Sequence, residues 1–116
     1  MGQPIVHFEI MGSNPIKLQQ FYAELFGWKI GEPAAEMGFY GLVDAQSSGL
    51  AGGIGQEPGG ASRVIIYVQV PDLQATLDQA VARGGKVVMP PTEIPGVVTL
   101  AQFSDPSGNV VGLVKG

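Results

Sequence analysis

Residues 5–10 alternate strictly along the chain. Val6, Phe8 and Ile10 fall on one side of an extended backbone and His7 and Glu9 on the other, the period-two pattern of a half-buried strand. The period then changes. In SNPIKLQQFYAELFGW, Leu18, Phe21, Tyr22 and Leu25 recur at helical spacing, Asn14 stands where an N-cap is needed, Pro15 suits the first helical position and Gly27 ends the run. Short strand-like pieces follow around 29–30, 39–43 and 50–54. RVIIYVQV returns to a strand, and PDLQATLDQAVARGG to a helix capped by Asp72. Its apolar face is Leu73, Leu77, Ala80 and Val81, and Gly84 and Gly85 stop it. KVVM, VTLAQF and NVVGLV close the chain as strands.

The second half repeats the first. His7 precedes Gly27 by twenty residues and Ile65 precedes Gly85 by twenty, an offset of 58, half the chain. SGLAGGI (48–54) matches SGNVVGL (107–113) at an offset of 59. Each half reads β-α-β-β-β, which predicts a duplicated α+β fold. The two tandem modules, about 1–58 and 59–116, would form a single domain.

Composition narrows the function classes. A chain of 116 residues can bury a core unaided, and without cysteine it has neither disulfides nor a thiolate site. Only 14% of residues are charged and the net charge is −4, so no basic footprint points to nucleic acid. The apolar runs are too short to span a bilayer, and the start lacks a basic flank followed by an apolar run. A soluble, cytoplasmic protein that engages neither nucleic acid nor membrane is expected. The glycine-rich run 47–62 joins the halves and is expected to be mobile. It lacks the Lys-Ser/Thr ending of a phosphate loop. MPPTEIPG (89–96) reads as a loop stiffened by three prolines.

Four segments in order, VHFEI, KLQQFYAELFGW, VPDLQATLDQAVARGGKVVMPPTEIPG and FSDPSGNVVGLV, resemble the vicinal oxygen chelate superfamily. That superfamily includes glyoxalase I, bleomycin-resistance proteins, extradiol dioxygenases and fosfomycin-resistance enzymes. The last segment is the most telling, since Asp105-Pro106-Ser107-Gly108 is a good turn into a closing strand. The resemblance implies two βαβββ modules whose mixed sheet curls into a cup around a small-molecule site, with the helices on the outer face. Many members are homodimers, and a homodimer is expected here.

Metal-dependent members take one ligand from the first and one from the last strand of each module. Their divalent ion keeps open positions for two neighbouring substrate oxygens. Carried onto this chain, those positions are His7, Ile65, Gly112 and Gly53, or Gly52 if the register slips by one. One of the four is a ligand type. No metal or other cofactor is therefore expected, and Glu9 and Gln69 lie off the implied ligand positions.

By the period-two rule Val6, Phe8 and Ile10, and likewise Val64, Ile66, Val68 and Val70, should face the helices. His7, Glu9 and Met11 share the other face, matched through the repeat by Ile65, Tyr67 and Gln69. Such a polar lining needs water, internal hydrogen bonds or a ligand. The candidate ligand-binding residues are His7, Glu9, Tyr67, Gln69 and Phe103, with His7 and Glu9 the candidate acid–base pair. The plainer alternative is a solvent-facing histidine and a structural tyrosine. Trp28, Phe39 and Tyr40 read first as packing residues. Three functions stay open. One is a metal-independent binding protein of the bleomycin-resistance kind, taking an aromatic or cationic compound. Another is a cofactor-free isomerase or lyase using His7 and Glu9. The third is an accessory domain with a vestigial cavity. A metal-dependent glyoxalase-like or dioxygenase-related enzyme would need the ligands that three positions lack.

Overall fold

A computed structural model describes residues 2–57, 59 and 61–116 of the chain. The chain divides into two compact units, His7–Ile65 and Ile66–Gly116, the latter joined by the run that ends at Val6. That first run belongs with the later unit because the Gln69 amide donates to the Pro4 carbonyl at 2.9 Å. The expected module boundary at residue 58 lies outside the described residues. No helix among the described residues is long and apolar enough to cross a membrane.

The unit His7–Ile65 holds most of β1 (Ile5–Gly12), then α1 (Pro15–Phe26), β2 (Gly41–Val43), α2 (Ala45–Ser48) and β3 (Gly52–Gln56). Its strand order is β2-β3-β1, with β1 parallel and β2 antiparallel to β3. A parallel pair requires a crossover, which α1 and the segment after it supply. The Asn14 side chain caps α1 by accepting from the Lys17 amide, and Gly27 ends it in the left-handed region. The strand expected at 29–30 reduces to a single bridge between Ile30 and Val43, and one helical turn, α2, stands unforeseen before β3.

The apolar face read for α1 is corrected. Phe21 and Leu25 are exposed, while Pro15 and Gln19 are the buried positions. Gln19 occupies a core site because its amide has partners there, as described below. Tyr22 and Phe26 instead join Phe8 and Trp28 in an aromatic cluster, with the Tyr22 and Trp28 rings stacked 5.6 Å apart.

Within the glycine-rich run, the strand expected at 50–54 forms as β3, in which Gly52, Gly53 and Gly55 are buried, and residues 58 and 60 lie outside the described residues. A Cβ on Gly52 would fall within the Phe8 ring, and one on Gly53 within the Tyr40 ring. Glycine is used here so that aromatic rings can lie against the backbone on both faces of β3.

The other unit holds the end of β4 (Arg63–Val70), then α3 (Leu73–Ala82), β5 (Lys86–Ile94), β6 (Val98–Ser104) and β7 (Val110–Lys115), ordered β4-β7-β6-β5. Asp72 caps α3 through the Ala75 amide. Val70, Leu73, Leu77, Ala101 and Leu113 form the core, with Val68 and Phe103 packed against it. The row expected under the helix is only half right. Val68 and Val70 hold, but Val64 is 67% exposed and Ile66 is exposed. The reason is that α3 lies on β5, β6 and β7, so the start of β4 runs past it. Val81 is likewise exposed in the last turn of α3.

Residues 89–94 of the expected proline loop are strand. β5 pairs with β6 through two register shifts, and Pro90 and Pro91 fall in the second, between Met89 and Thr92. Proline is tolerated at such irregularities on a strand paired along one side. The turn at 105–108 forms as expected, the Gly108 amide donating to the Asp105 carbonyl at 2.9 Å with Gly108 at φ +92°.

Candidate functional site

β1 presents His7 and Glu9 on one face, two residues apart. The group that joins them is Tyr40, just before β2. Its hydroxyl donates to Glu9 Oε2 at 2.8 Å and lies 2.9 Å from His7 Nε2. Because the phenol proton is directed at the carboxylate, the phenol oxygen can only accept from the imidazole. His7 is thereby held as the Nε2–H tautomer, with its ring lone pair on Nδ1. Burial pushes the imidazole below its usual pKa, and the Glu9 carboxylate opposes that only in part. A neutral imidazole, a phenol and a carboxylate in series can bind a donor-bearing ligand or pass a proton along the chain of hydrogen bonds.

Tyr40 is aimed at this pair by an unusual turn. Gly38 and Phe39 both take positive φ, +67° and +58°. For glycine this is ordinary, but for phenylalanine it is a strained conformation that the surroundings must hold. The Gln19 side chain, 6% exposed, donates from Nε2 to the Phe39 carbonyl and to the Ile54 carbonyl, each at 2.8 Å. The turn before Tyr40 is thus braced against α1 and β3.

The other residues expected at the site are placed differently. Tyr67, 5% exposed, accepts a hydrogen bond from Gln102 Nε2 at 3.0 Å, and its ring covers Gly112. Gln69 lies against Gly116 at the end of β7. Phe103 packs on the core beneath α3 with Val68, on the side opposite Gln102. The structure therefore brings His7 and Glu9 together through Tyr40, and pairs Tyr67 with Gln102. The sequence pattern presents Tyr40 as a packing residue and does not single out Gln102 or Gln19. The signal for Tyr40 and Tyr67 is glycine at Gly53 and Gly112, where a ring needs room.

Two open grooves mark the unit His7–Ile65 but do not include His7. One, of about 360 Å³, is lined by Lys29, Ile30, Gly31, Leu42, Val43 and Asp44, and the other, of about 270 Å³, lies at the start of α1 beside Lys17 and Ser62. The chemistry on β1 carries more weight than these concavities, since there a histidine, a tyrosine and a glutamate are joined by hydrogen bonds.

Residues 4–113 match the model of the Glyoxalase/Bleomycin resistance protein/Dioxygenase superfamily. The chain belongs to this superfamily. It is 30% identical over 102 residues to the "Putative glyoxylase CFP32" of Mycobacterium bovis and Mycobacterium tuberculosis, covering 82% of this chain but 39% of those proteins. The chain thus spans well under half the length of the curated relatives it matches. Among solved structures it resembles hypothetical protein BH1468 of Bacillus halodurans (TM-score 0.73, 11% identity, 100% of this chain and 96% of that one). It also resembles the Mn(II)-bound glyoxalase of Novosphingobium aromaticivorans (TM-score 0.70, 17% identity, 97% of this chain and 38% of that one). A third is the methylmalonyl-CoA epimerase of Mycobacterium tuberculosis (TM-score 0.67, 15% identity, 96% and 86%). At these identities the likeness is one of fold.

The metal that the superfamily resemblance implies does not fit the residues at its four positions. Only His7 carries a donor. Ile65 is 1% exposed and apolar, and the spaces above Gly53 and Gly112 are filled by the Tyr40 and Tyr67 rings. A slip to Gly52 meets the Phe8 ring instead. Among the described residues, no group of three or more His, Asp or Glu gathers.

Proposed function

We propose that this glyoxalase-superfamily chain is a metal-independent small-molecule-binding protein whose site is built on His7, Tyr40 and Glu9. The observation that carries this reading is the filling of the ligand positions: tyrosine rings occupy the room at Gly53 and Gly112, and Tyr40 turns its hydroxyl to the one remaining donor, His7. The pair of carboxylate and imidazole lone pair offers acceptors, which suits an aromatic or cationic compound bearing N–H or O–H groups. Two tandem βαβββ modules, curled into a cup with the helices outside, are part of the same proposal. The matched pairings Glu9–Gly53 and Tyr67–Gly112 support it, since each pair relates to the other through the repeat. The reading takes the protein as a cytoplasmic homodimer without nucleic-acid or membrane partners. Light scattering on the purified protein tests the dimer.

A thermal-shift screen with divalent metals and small molecules tests the main claim. The expected result is a ligand-induced rise in melting temperature that His7→Ala weakens, with no metal required. A stoichiometric, tightly bound divalent ion lost in His7→Ala would overturn it.

The relay of hydrogen bonds favours one second reading, a cofactor-free isomerase or lyase. There His7 Nδ1 takes a proton from substrate, and the positive charge on the ring is stabilised through Nε2–H, Tyr40 and the Glu9 carboxylate. The carbanion either takes the proton back from Nδ1 at a neighbouring atom or expels a leaving group. Turnover that disappears in both His7→Ala and Glu9→Gln would distinguish the enzyme from the binding protein.

A further inference from the structure

We propose that Gln19 is the positioning residue of this site: its buried carboxamide, donating to the carbonyls of Phe39 and Ile54, holds the turn that aims Tyr40 and so sets the tautomer of His7. Three observations converge on it. Gln19 is a polar side chain at a buried position of α1, and it spends both Nε2 hydrogens on backbone carbonyls from two separate elements. One of those carbonyls belongs to Phe39, the non-glycine residue at positive φ, and Tyr40 follows it directly. A Cβ on Gly41, the residue after Tyr40, would strike the Gln19 amide, so the chain on either side of Tyr40 lies against this one side chain. Phenylalanine does not stay in the left-handed region unaided, and a donor fixed on its carbonyl is what holds it there. Without the clamp the turn relaxes, Tyr40 loses its aim, and the imidazole loses the acceptor that selects Nε2–H.

The inference rests on the reading above only in taking His7, Tyr40 and Glu9 as the working groups, and its test needs no ligand. His7 is the only histidine of the chain, so its ring nitrogens can be followed by 15N NMR of the full-length protein without assignment ambiguity. In the wild type at a pH where the ring is neutral, the two nitrogens should differ strongly, as a single tautomer requires. Gln19→Met, similar in size but without donors, should bring the two shifts toward each other, as Tyr40→Phe should. Adding Phe39→Gly should restore the wild-type separation in Gln19→Met, because glycine takes positive φ without a clamp. A Gln19→Met protein that melts lower yet keeps the wild-type imidazole signature would overturn the proposal and leave Gln19 a purely structural residue. Should Gln19→Met fail to fold, the double variant and the wild type still decide. Fast hydrogen exchange at the Gln19 amide in the wild type, or a Gln19→Met/Phe39→Gly protein with averaged nitrogens, would refute it. A negative ligand screen with an intact tautomer signature would refute only the binding function.

Discussion

The Tyr67 ring lies across Gly112, its partner in the β4–β7 register, in the place a Cβ on that glycine would take. Tyr40 holds the same relation to Gly53 on β3, where Glu9 is the partner on β1. In each unit a strand glycine and an aromatic ring fit each other at a position where the superfamily resemblance implies a metal ligand. A site of that form would need the ring to leave as well as a donor to arrive. Restoring it by a single substitution is therefore closed off sterically.

This fit predicts the cost of a methyl group. Gly112 has no positive φ, so alanine there meets no backbone strain, only the buried Tyr67 ring. Gly112→Ala should destabilise by about 1–3 kcal/mol, the usual range for overpacking. Urea unfolding measures this. Combined with Tyr67→Val, which vacates the space, the loss should be smaller than the sum of the single losses. Additive losses would mean that the ring does not lie where the structure puts it.

Tyr40 carries a polar duty that its neighbour Phe39 does not. Tyr40→Phe keeps the ring over Gly53 but removes the hydroxyl shared by His7 and Glu9. Leaving those partly buried groups to find other partners should cost about 1–2 kcal/mol. The same variant should weaken any ligand that His7→Ala weakens. Unchanged unfolding midpoints would show that water replaces the hydroxyl without loss.

Much of this was readable in the sequence, for stateable reasons. Alternation on β1 put His7 and Glu9 on one face, the caps at Asn14 and Asp72 located both long helices, and the repeat marked Gly53 and Gly112 as positions lacking a side chain. Tyr40 was not readable as a site residue, because it is aimed by two successive left-handed residues, and such a turn has no period. Gln19 was missed because a glutamine at helical spacing resembles a surface residue until its two carbonyl partners are known. The KVVM start of β5 reads as strand, but its proline-containing continuation reads as loop, since proline counts against a strand except where register shifts accommodate it.

The turn into β7 should be acid-sensitive. The Asn109 side chain, with help from the backbone amides of Asn109, Ser107 and Gly108, holds the Asp105 carboxyl below the usual carboxylate range. A carboxyl depressed in the folded state contributes stability above its unfolded pKa and loses it as the pH falls through the folded one. Asp105→Asn should therefore lower the melting temperature at neutral pH and narrow the gap to wild type in strong acid. A constant gap at every pH would assign the effect to the altered turn rather than to the charge.

The single histidine gives a second window of the same sign at higher pH, and it can be read directly. Burial lowers the His7 pKa from the usual 6.5, while Glu9, the charged group facing it, partly raises it and Tyr40 accepts from its Nε2. As the pH drops below about 6.5, the unfolded chain takes up a proton that the folded chain still refuses. Stability should therefore fall with decreasing pH through this window, level off once the folded imidazole is also charged, and stay flat above it. His7→Gln, which keeps a polar side chain but does not titrate, should remove the slope. Urea midpoints measured from neutral pH down to the onset of carboxyl titration test this. Stability that instead rises as the pH falls would mean that attraction to Glu9 outweighs burial, and that the site holds an imidazolium rather than a neutral base.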